Sequence, residues 1–165
     1  SRTRRTERVR KNLVNLPELL RQQANERYRA VLVTGETASG KSGFARKLAA
    51  ATGGAYLDLL EEFLGDEGLA QAIDTFGLRK LHALLKSKAG GAGIVILDNA
   101  DFLFNTWSDR DRGGFCAWLG KLDNIQFAPV LCVFAQDDEA FAGVSFAPAS
   151  TGSARAIRYE DLQSI

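Results

Sequence analysis

The order of apolar and polar positions along the chain predicts short buried strands. Each run holds five or six residues that are mainly apolar, and several of the runs are rich in β-branched side chains. Runs of this kind are typical of strands in a parallel sheet, which are covered on both faces. The predicted strands are residues 30–34, 55–59, 93–98, 130–134 and, more weakly, 154–159.

Helical periodicity separates these strands. Pro17 is expected to break or restart the first helix, because proline lacks a backbone donor and clashes with the preceding turn. Gly53 and Gly54 are expected to end the second helix, and Gly77 to divide the third. Residues 137–153 lack periodicity and predict a loop. The predicted helices are residues 6–27, 41–52, 67–88 and 109–122.

This alternation of strands and helices predicts an α/β protein. We expect about five strands in a mainly parallel sheet, with helices on both faces. Right-handed crossovers would bring the loops that follow the strands to one edge of the sheet. The predicted organisation is a single domain over residues 28–165, preceded by a helical extension over residues 1–27.

A glycine-rich motif lies between the first strand and the second helix. Residues 35–42 read Gly-Glu-Thr-Ala-Ser-Gly-Lys-Ser and match the Walker A pattern G-x-x-x-x-G-K-[ST] in the strand–loop–helix context that it requires. The alternative is a chance glycine-rich turn. The predicted phosphate-binding residues are Gly35, Glu36, Thr37, Ala38, Ser39, Gly40, Lys41, Ser42 and Gly43.

Each part of this motif has a physical role in binding a nucleotide. Glycines allow the backbone to wrap an anion, and inward N–H groups with the helix dipole provide positive charge. Lys41 is expected to reach the β- and γ-phosphates, and the Ser42 hydroxyl to bind Mg²⁺. The motif therefore predicts a nucleotide and Mg²⁺ as cofactors of a P-loop fold. The motif does not decide between ATP and GTP, but the chain has no N/T-K-x-D base-reading motif, which favours ATP.

Asp98 follows four apolar residues at the end of the strongest predicted strand. This is the Walker B pattern, in which the carboxylate holds Mg²⁺ or its water shell beside Ser42. The alternative is an aspartate that caps the next turn. Because a nucleotide site needs an acidic anchor for the cation, Asp98 is the second predicted metal residue.

Residues 28–160 are similar to the core of additional-strand P-loop ATPases, the AAA+ and STAND-like group. The resemblance rests on the two motifs and on the polar residue Gln136 after the strand 130–134. In that group a polar residue at the place of Gln136 senses the γ-phosphate. Many members carry glutamate after the Walker B aspartate, where this chain has Asn99. Asparagine cannot accept a proton, although its amide can position water. Asp101 is the next carboxylate, and an N-cap role for it is equally plausible.

The same group uses arginine fingers supplied by a neighbouring subunit. Arg110 and Arg112 are the candidates here, and a solvated charged turn is the alternative. Arg155 and Arg158 are weaker candidates. The resemblance also implies a helical lid, for which the chain leaves no room after its last predicted strand. We therefore expect fewer contacts to adenine and a dependence on self-association or on a protein partner.

A narrower resemblance is to the BrxF-like P-loop ATPases of BREX-type phage-defence systems. The features that suggest it are the small size, Tyr56-Leu57-Asp58-Leu59, Leu97-Asp98-Asn99 and Asp101-Phe102-Leu103-Phe104. It implies a regulatory subunit, which binds or hydrolyses ATP within an antiviral defence complex that acts on DNA.

Two other functions remain open. In shikimate-type kinases an aspartate on the second strand binds the acceptor hydroxyl, and Asp58 would take that role here. Residues 137–153, however, contain no arginine for a phosphate-binding lid. A nucleotide-binding adaptor without hydrolysis is the other alternative, and Asn99 is consistent with it.

Composition and charge limit the classes of partner that we expect this protein to bind. The 165 residues, 45% of them hydrophobic and 25% charged, are typical of a globular domain, and no apolar run approaches the ~20 residues of a membrane span. Residues 1–11 carry six basic side chains and one acidic one, so nucleic acid is a possible partner. Cys116 and Cys132 lie in apolar surroundings and are expected to be buried thiols, which suits the cytoplasm.

Overall fold

The computed structural model of the chain describes residues 13–36, 40–136, 141 and 144–165. Across these residues five strands form one sheet in the order β2-β3-β4-β1-β5, and every pair of neighbours is parallel. The predicted parallel α/β architecture is confirmed. The strands are β1 (Val31–Gly35), β2 (Ala55–Asp58), β3 (Ile94–Asp98), β4 (Val130–Gln136) and β5 (Ala156–Arg158).

Seven α-helices flank the sheet in the described part of the chain. Two 3₁₀ turns, Ile73–Thr75 and Tyr159–Asp161, accompany them. The basic residues 1–12 and the loop residues Thr37, Ala38 and Ser39 lie outside the described residues. The helices are α1 (Leu16–Gln23), α2 (Lys41–Thr52), α3 (Leu59–Leu64), α4 (Glu67–Gln71), α5 (Leu78–Ala89), α6 (Asp101–Phe104) and α7 (Asp109–Gly120).

Pro17 and Gly77 both lie at the start of a helix. Helix α1 begins at Leu16, so Pro17 lies in its first turn, where the missing N–H of proline removes no helical hydrogen bond. The Asn15 side chain caps it by accepting from the Glu18 backbone N–H at 3.2 Å. Gly77 immediately precedes α5, so the predicted helix over residues 67–88 is divided as expected.

The prediction of strand at Leu59 is wrong. Strand β2 ends at Asp58, whose Oδ1 accepts a hydrogen bond from the Glu61 backbone N–H at 3.1 Å and starts helix α3. Aspartate is a favoured N-cap because its carboxylate satisfies a backbone donor that the helix leaves without a partner. Asp58 therefore stands at the junction of a strand and a helix.

The sheet has a hydrophobic core on each face. On one side Leu85 of α5 and Phe115 of α7 pack against the strands, together with side chains from α3. On the other side Leu20 of α1 and Leu48 of α2 cover the sheet. Because both faces are covered, the strands carry almost continuous apolar residues instead of an alternating pattern.

The strand register brings polar residues to the carboxyl edge of the sheet. Gly35 at the end of β1 lies opposite Gln136 at the end of β4. Asp58 at the end of β2 lies opposite Asp98 at the end of β3. These four residues, each a candidate in the sequence, thus lie at one edge of the sheet. In the described residues no helix combines the length and the apolar character that a membrane crossing requires.

Candidate functional site

The glycine-rich loop joins β1 directly to α2, and Gly40 provides the sharp turn between them. Its φ of +88° lies in the left-handed region, which L side chains adopt only with strain. A Cβ at this position would also meet the Tyr159 hydroxyl at 3.4 Å. Glycine at residue 40 therefore allows the left-handed backbone turn, beside which the Tyr159 hydroxyl lies.

Lys41 extends back along the loop from the first turn of α2. Its ammonium donates hydrogen bonds to the backbone carbonyls of Gly35 at 3.1 Å and Glu36 at 2.5 Å. These contacts hold a positive charge against the loop backbone, beside the start of the helix, where the helix dipole is also positive.

Ser42 is connected to the end of β3 through Asn99. The Ser42 hydroxyl donates to Asn99 Oδ1 at 3.2 Å, and Asn99 Nδ2 donates to Asp58 Oδ2 at 2.7 Å. Since a carboxylate only accepts, the amide nitrogen must face Asp58, and its oxygen then faces Ser42. A hydroxyl that donates its single proton to Asn99 retains oxygen lone pairs for a cation.

Asn99 adopts a backbone conformation that this connection requires. Its φ of +54° makes it the one described residue other than glycine with a positive φ. Asparagine is several-fold enriched in the left-handed region, where most other residues are strained. The turn directs the Asn99 side chain between Ser42 and Asp58, and strained residues of this kind often occur at functional sites.

Asp98 is almost completely buried, with 3% of its surface exposed, and it accepts a hydrogen bond from the Tyr56 hydroxyl at 2.7 Å. Burial, this hydrogen bond and the negative charges of Asp98 and Asp58 raise the pKa of Tyr56, so the phenol remains a donor. The Arg46 guanidinium lies over the Tyr56 ring, 5.2 Å from its centre. Tyr56 thus orients the carboxylate at the end of β3.

Replacing Tyr56 by phenylalanine removes only the hydroxyl donor to Asp98. We expect Tyr56→Phe to lower the free energy of unfolding by about 1.5–3 kcal/mol, the typical contribution of a hydrogen bond to a charged group. Denaturant unfolding measures this change. Tyr28→Phe, at another half-buried tyrosine, is the control and should change stability by less than about 0.5 kcal/mol. Equal effects of the two substitutions would contradict the assigned role.

Asp101 and Gln136 are brought together, and the alternative role of Asp101 as a helix N-cap is wrong. Ala100 precedes α6 as its N-cap residue, and Asp101 is in the first turn. The Asp101 Oδ1 atom instead accepts a hydrogen bond from the Gln136 backbone N–H at 2.8 Å. This contact fastens the end of β4 to the segment that follows Asp98.

The candidate arginines lie in different surroundings. Arg112 pairs with Asp109 on α7, and Arg110 is exposed in the first turn of the same helix. Arg158 pairs with Glu160 at 2.8 Å. Arg155 is buried and donates to three backbone carbonyls, so it is a structural residue and is unavailable to a neighbouring subunit.

Sequence reasoning missed the contribution of two tyrosines to this site. Tyr56 lies two residues before Asp58 on one strand, and residues two apart share a face. That spacing, beside the neighbouring Asp98, was a usable signal. Tyr159 follows the last strand and reaches the loop through Gly40, a contact that depends on β5 being beside β1. No local pattern indicates it.

Among the described residues no group of three histidine, cysteine or acidic side chains is close enough to hold a metal ion. A cation at this edge of the sheet would therefore need oxygen ligands from water or from a bound molecule. Cys116 and Cys132 are buried thiols, as predicted.

Comparisons with known proteins add no assignment. No protein-family model matches the chain. A search of curated proteins gives no match either.

Proposed function

We propose that the protein is a Mg-ATP-binding P-loop ATPase subunit of the additional-strand type. The observation that carries the proposal is the hydrogen bond between Ser42 and Asn99, 57 positions apart in sequence. It brings the Walker A serine to the residue that follows Asp98. The sequence motifs alone do not require Ser42 and Asn99 to be in contact.

The strand order supports the same class. Strand β4 lies between β1, which leads into the glycine-rich loop, and β3, which ends at Asp98. An additional strand between the two motifs is what the name of the class describes. The polar end of that strand, Gln136, lies opposite Gly35 and is a candidate sensor of the γ-phosphate.

The residues present fit a nucleotide with its cation. Bound Mg²⁺ would neutralise the phosphate charge and draw oxygen ligands around it. Ser42 can supply one oxygen, since its proton is donated to Asn99. Asp98, oriented by Tyr56, can accept hydrogen bonds from cation-bound water. The backbone N–H groups of the loop and the Lys41 ammonium would hold the phosphates.

Hydrolysis is expected to be slow without a partner. Both ends of the Asn99 amide are already bonded, to Ser42 and Asp58, and an amide cannot take a proton. Asp101, which is bonded to the backbone of Gln136, is the carboxylate that we propose orients the water. Arg110 or Arg112 of a second copy would stabilise charge that develops during transfer.

Assembly and a place in a phage-defence complex belong to the same proposal. They rest on the family resemblance and on the basic residues 1–11. A nucleotide-binding adaptor is the second candidate, because the fully bonded Asn99 favours binding without turnover. The small-molecule kinase is less well supported, since Asp58 is buried and both of its oxygens are bonded within the protein.

Thermal unfolding with Mg-ATP tests the proposal. At a hundred times the Kd, a ligand that binds only the folded state adds about 2.7 kcal/mol, which corresponds to roughly 5–10 °C in Tm for a chain of this size. We expect this rise with Mg-ATP and a smaller one when EDTA removes Mg²⁺. No shift at millimolar Mg-ATP would contradict nucleotide binding, whereas a shift without phosphate release would favour the adaptor.

A further inference from the structure

A small pocket lies beside the glycine-rich loop, on the side that faces β5. Its volume is about 140 Å³, below the roughly 300–1,000 Å³ of pockets that enclose whole drug-sized ligands. A pocket of this size suits one flat ring system, with the remainder of a ligand lying elsewhere. Its lining residues are Thr34, Gly35, Glu36, Arg158, Tyr159 and Glu160.

The sheet order indicates which part of a nucleotide reaches this pocket. The proposed cation and terminal-phosphate groups, Asp98 and Gln136, belong to β3 and β4, on one side of β1. Strand β5 is the neighbour of β1 on the other side, with Arg158 opposite Thr34. If the terminal phosphate points towards β4, the nucleoside end must leave the loop in the opposite direction, which is towards β5.

Tyr159 presents a fixed aromatic ring at the pocket. Its hydroxyl donates to the Gly40 carbonyl at 3.4 Å, and the Phe44 ring meets it edge to face, with the ring centres 5.6 Å apart. These contacts restrict the ring before any ligand arrives, which reduces the entropy lost on binding. Any of the nucleobases can stack on an aromatic ring of this kind, because every base has a π-face.

The charges around the pocket fit a nucleoside better than another phosphate. Glu36 and Glu160 are carboxylates, and Arg158 is paired with Glu160. The lining side chains therefore carry a net negative charge, which repels anions. Carboxylates accept hydrogen bonds from ribose hydroxyls and from exocyclic amino groups, both of which are uncharged donors.

From these observations we infer that this pocket binds the nucleobase of the nucleotide, with Tyr159 as its stacking surface. The inference rests on the proposed function, because it takes the glycine-rich loop as the phosphate site. It gives the base a protein contact from the segment after β5, although the expected lack of a helical lid would leave fewer contacts to adenine.

Calorimetric titration with two probes tests the inference. Mg-ATP contains phosphates and a base, whereas Mg-tripolyphosphate contains phosphates alone. We expect Tyr159→Ala to raise the Kd of Mg-ATP about tenfold and to leave the Kd of Mg-tripolyphosphate within about twofold. Tyr159→Phe keeps the ring and should retain both affinities. Tyr159→Leu keeps apolar contact with Phe44 but cannot stack, so it should behave as Tyr159→Ala does.

The outcomes separate this inference from the proposed function. If wild-type protein binds both probes but Tyr159→Ala and Tyr159→Leu bind Mg-ATP normally, the base pocket is excluded and the phosphate site stands. An equal loss of affinity for both probes would show that Tyr159 acts through the loop at Gly40, which also overturns the inference. If wild-type protein binds neither probe, the proposed function fails and the base pocket fails with it.

Discussion

Lys41→Ala is expected to abolish most of the stabilisation that Mg-ATP confers. The ammonium already lies on the loop backbone, bonded to the carbonyls of Gly35 and Glu36. A hydrogen bond to a charged group contributes about 1.5–3 kcal/mol, so its loss should raise the Kd about a hundredfold. A Mg-ATP concentration that adds about 2.7 kcal/mol to the wild type would then add only about 0.4 kcal/mol.

Lys47→Ala is the matched control for this experiment. Lys47 is exposed on the same helix, α2, and its removal changes the net charge by the same amount. Thermal unfolding of both variants, with and without Mg-ATP, separates a phosphate contact from a general electrostatic effect. A folded Lys41→Ala variant with an unchanged Mg-ATP shift would exclude the glycine-rich loop as the phosphate site.

Local sequence signals predicted the parts of the site that depend on local structure. The loop between β1 and α2 requires glycine at residue 40 for its left-handed turn, and the match to a known spacing reveals it. Asp98 follows a continuous apolar strand, so its place at the carboxyl edge follows from the strand itself. The parallel architecture follows from strands that alternate with helices.

Contacts between distant segments could not be predicted in this way. The connection from Ser42 through Asn99 to Asp58 depends on which strands are neighbours and on a positive φ at one residue. Alternation of elements leaves the strand order open. Helix α3 was missed for a different reason, because Leu59 extends an apolar run that fits either a strand or a helix. The spacing of Asp58 and Glu61 is a capping signal that favours the helix.

Arg155 is the clearest case of a residue whose role only the structure reveals. A charged residue near the end of the chain is expected at the surface, since arginine is rarely buried without partners. Here 1% of its surface is exposed, and its guanidinium donates to the carbonyls of Ala147 at 2.8 Å, Ala30 at 2.9 Å and Gly120 at 3.0 Å. Burial lowers the pKa of this side chain, and the nearby Glu26 opposes that effect.

Those three carbonyls belong to segments far apart in sequence. One precedes β1, one ends α7, and one lies in the strand-free segment before β5. The ring of Phe146 also lies 5.2 Å from the guanidinium carbon. Arg155 therefore fastens the segment just before β5 to the start of β1 and to the end of α7. A lysine could not replace it, because a single ammonium lacks the planar fork that reaches three acceptors at once.

We expect Arg155→Leu to lower the free energy of unfolding by about 3–5 kcal/mol, because the buried carbonyls lose a charged donor and have no other one in its place. Chemical denaturation measures the loss, with Arg79→Leu on the exposed surface of α5 as the control, for which less than about 0.5 kcal/mol is expected. Arg155→Lys should retain only part of the stability that Arg155→Leu loses. A loss below 1 kcal/mol in Arg155→Leu would show that the segment before β5 is held by its apolar contacts.

The end of β5 also presents Tyr159 to the loop, so a folded Arg155→Lys variant should bind Mg-ATP more weakly while binding Mg-tripolyphosphate as the wild type does.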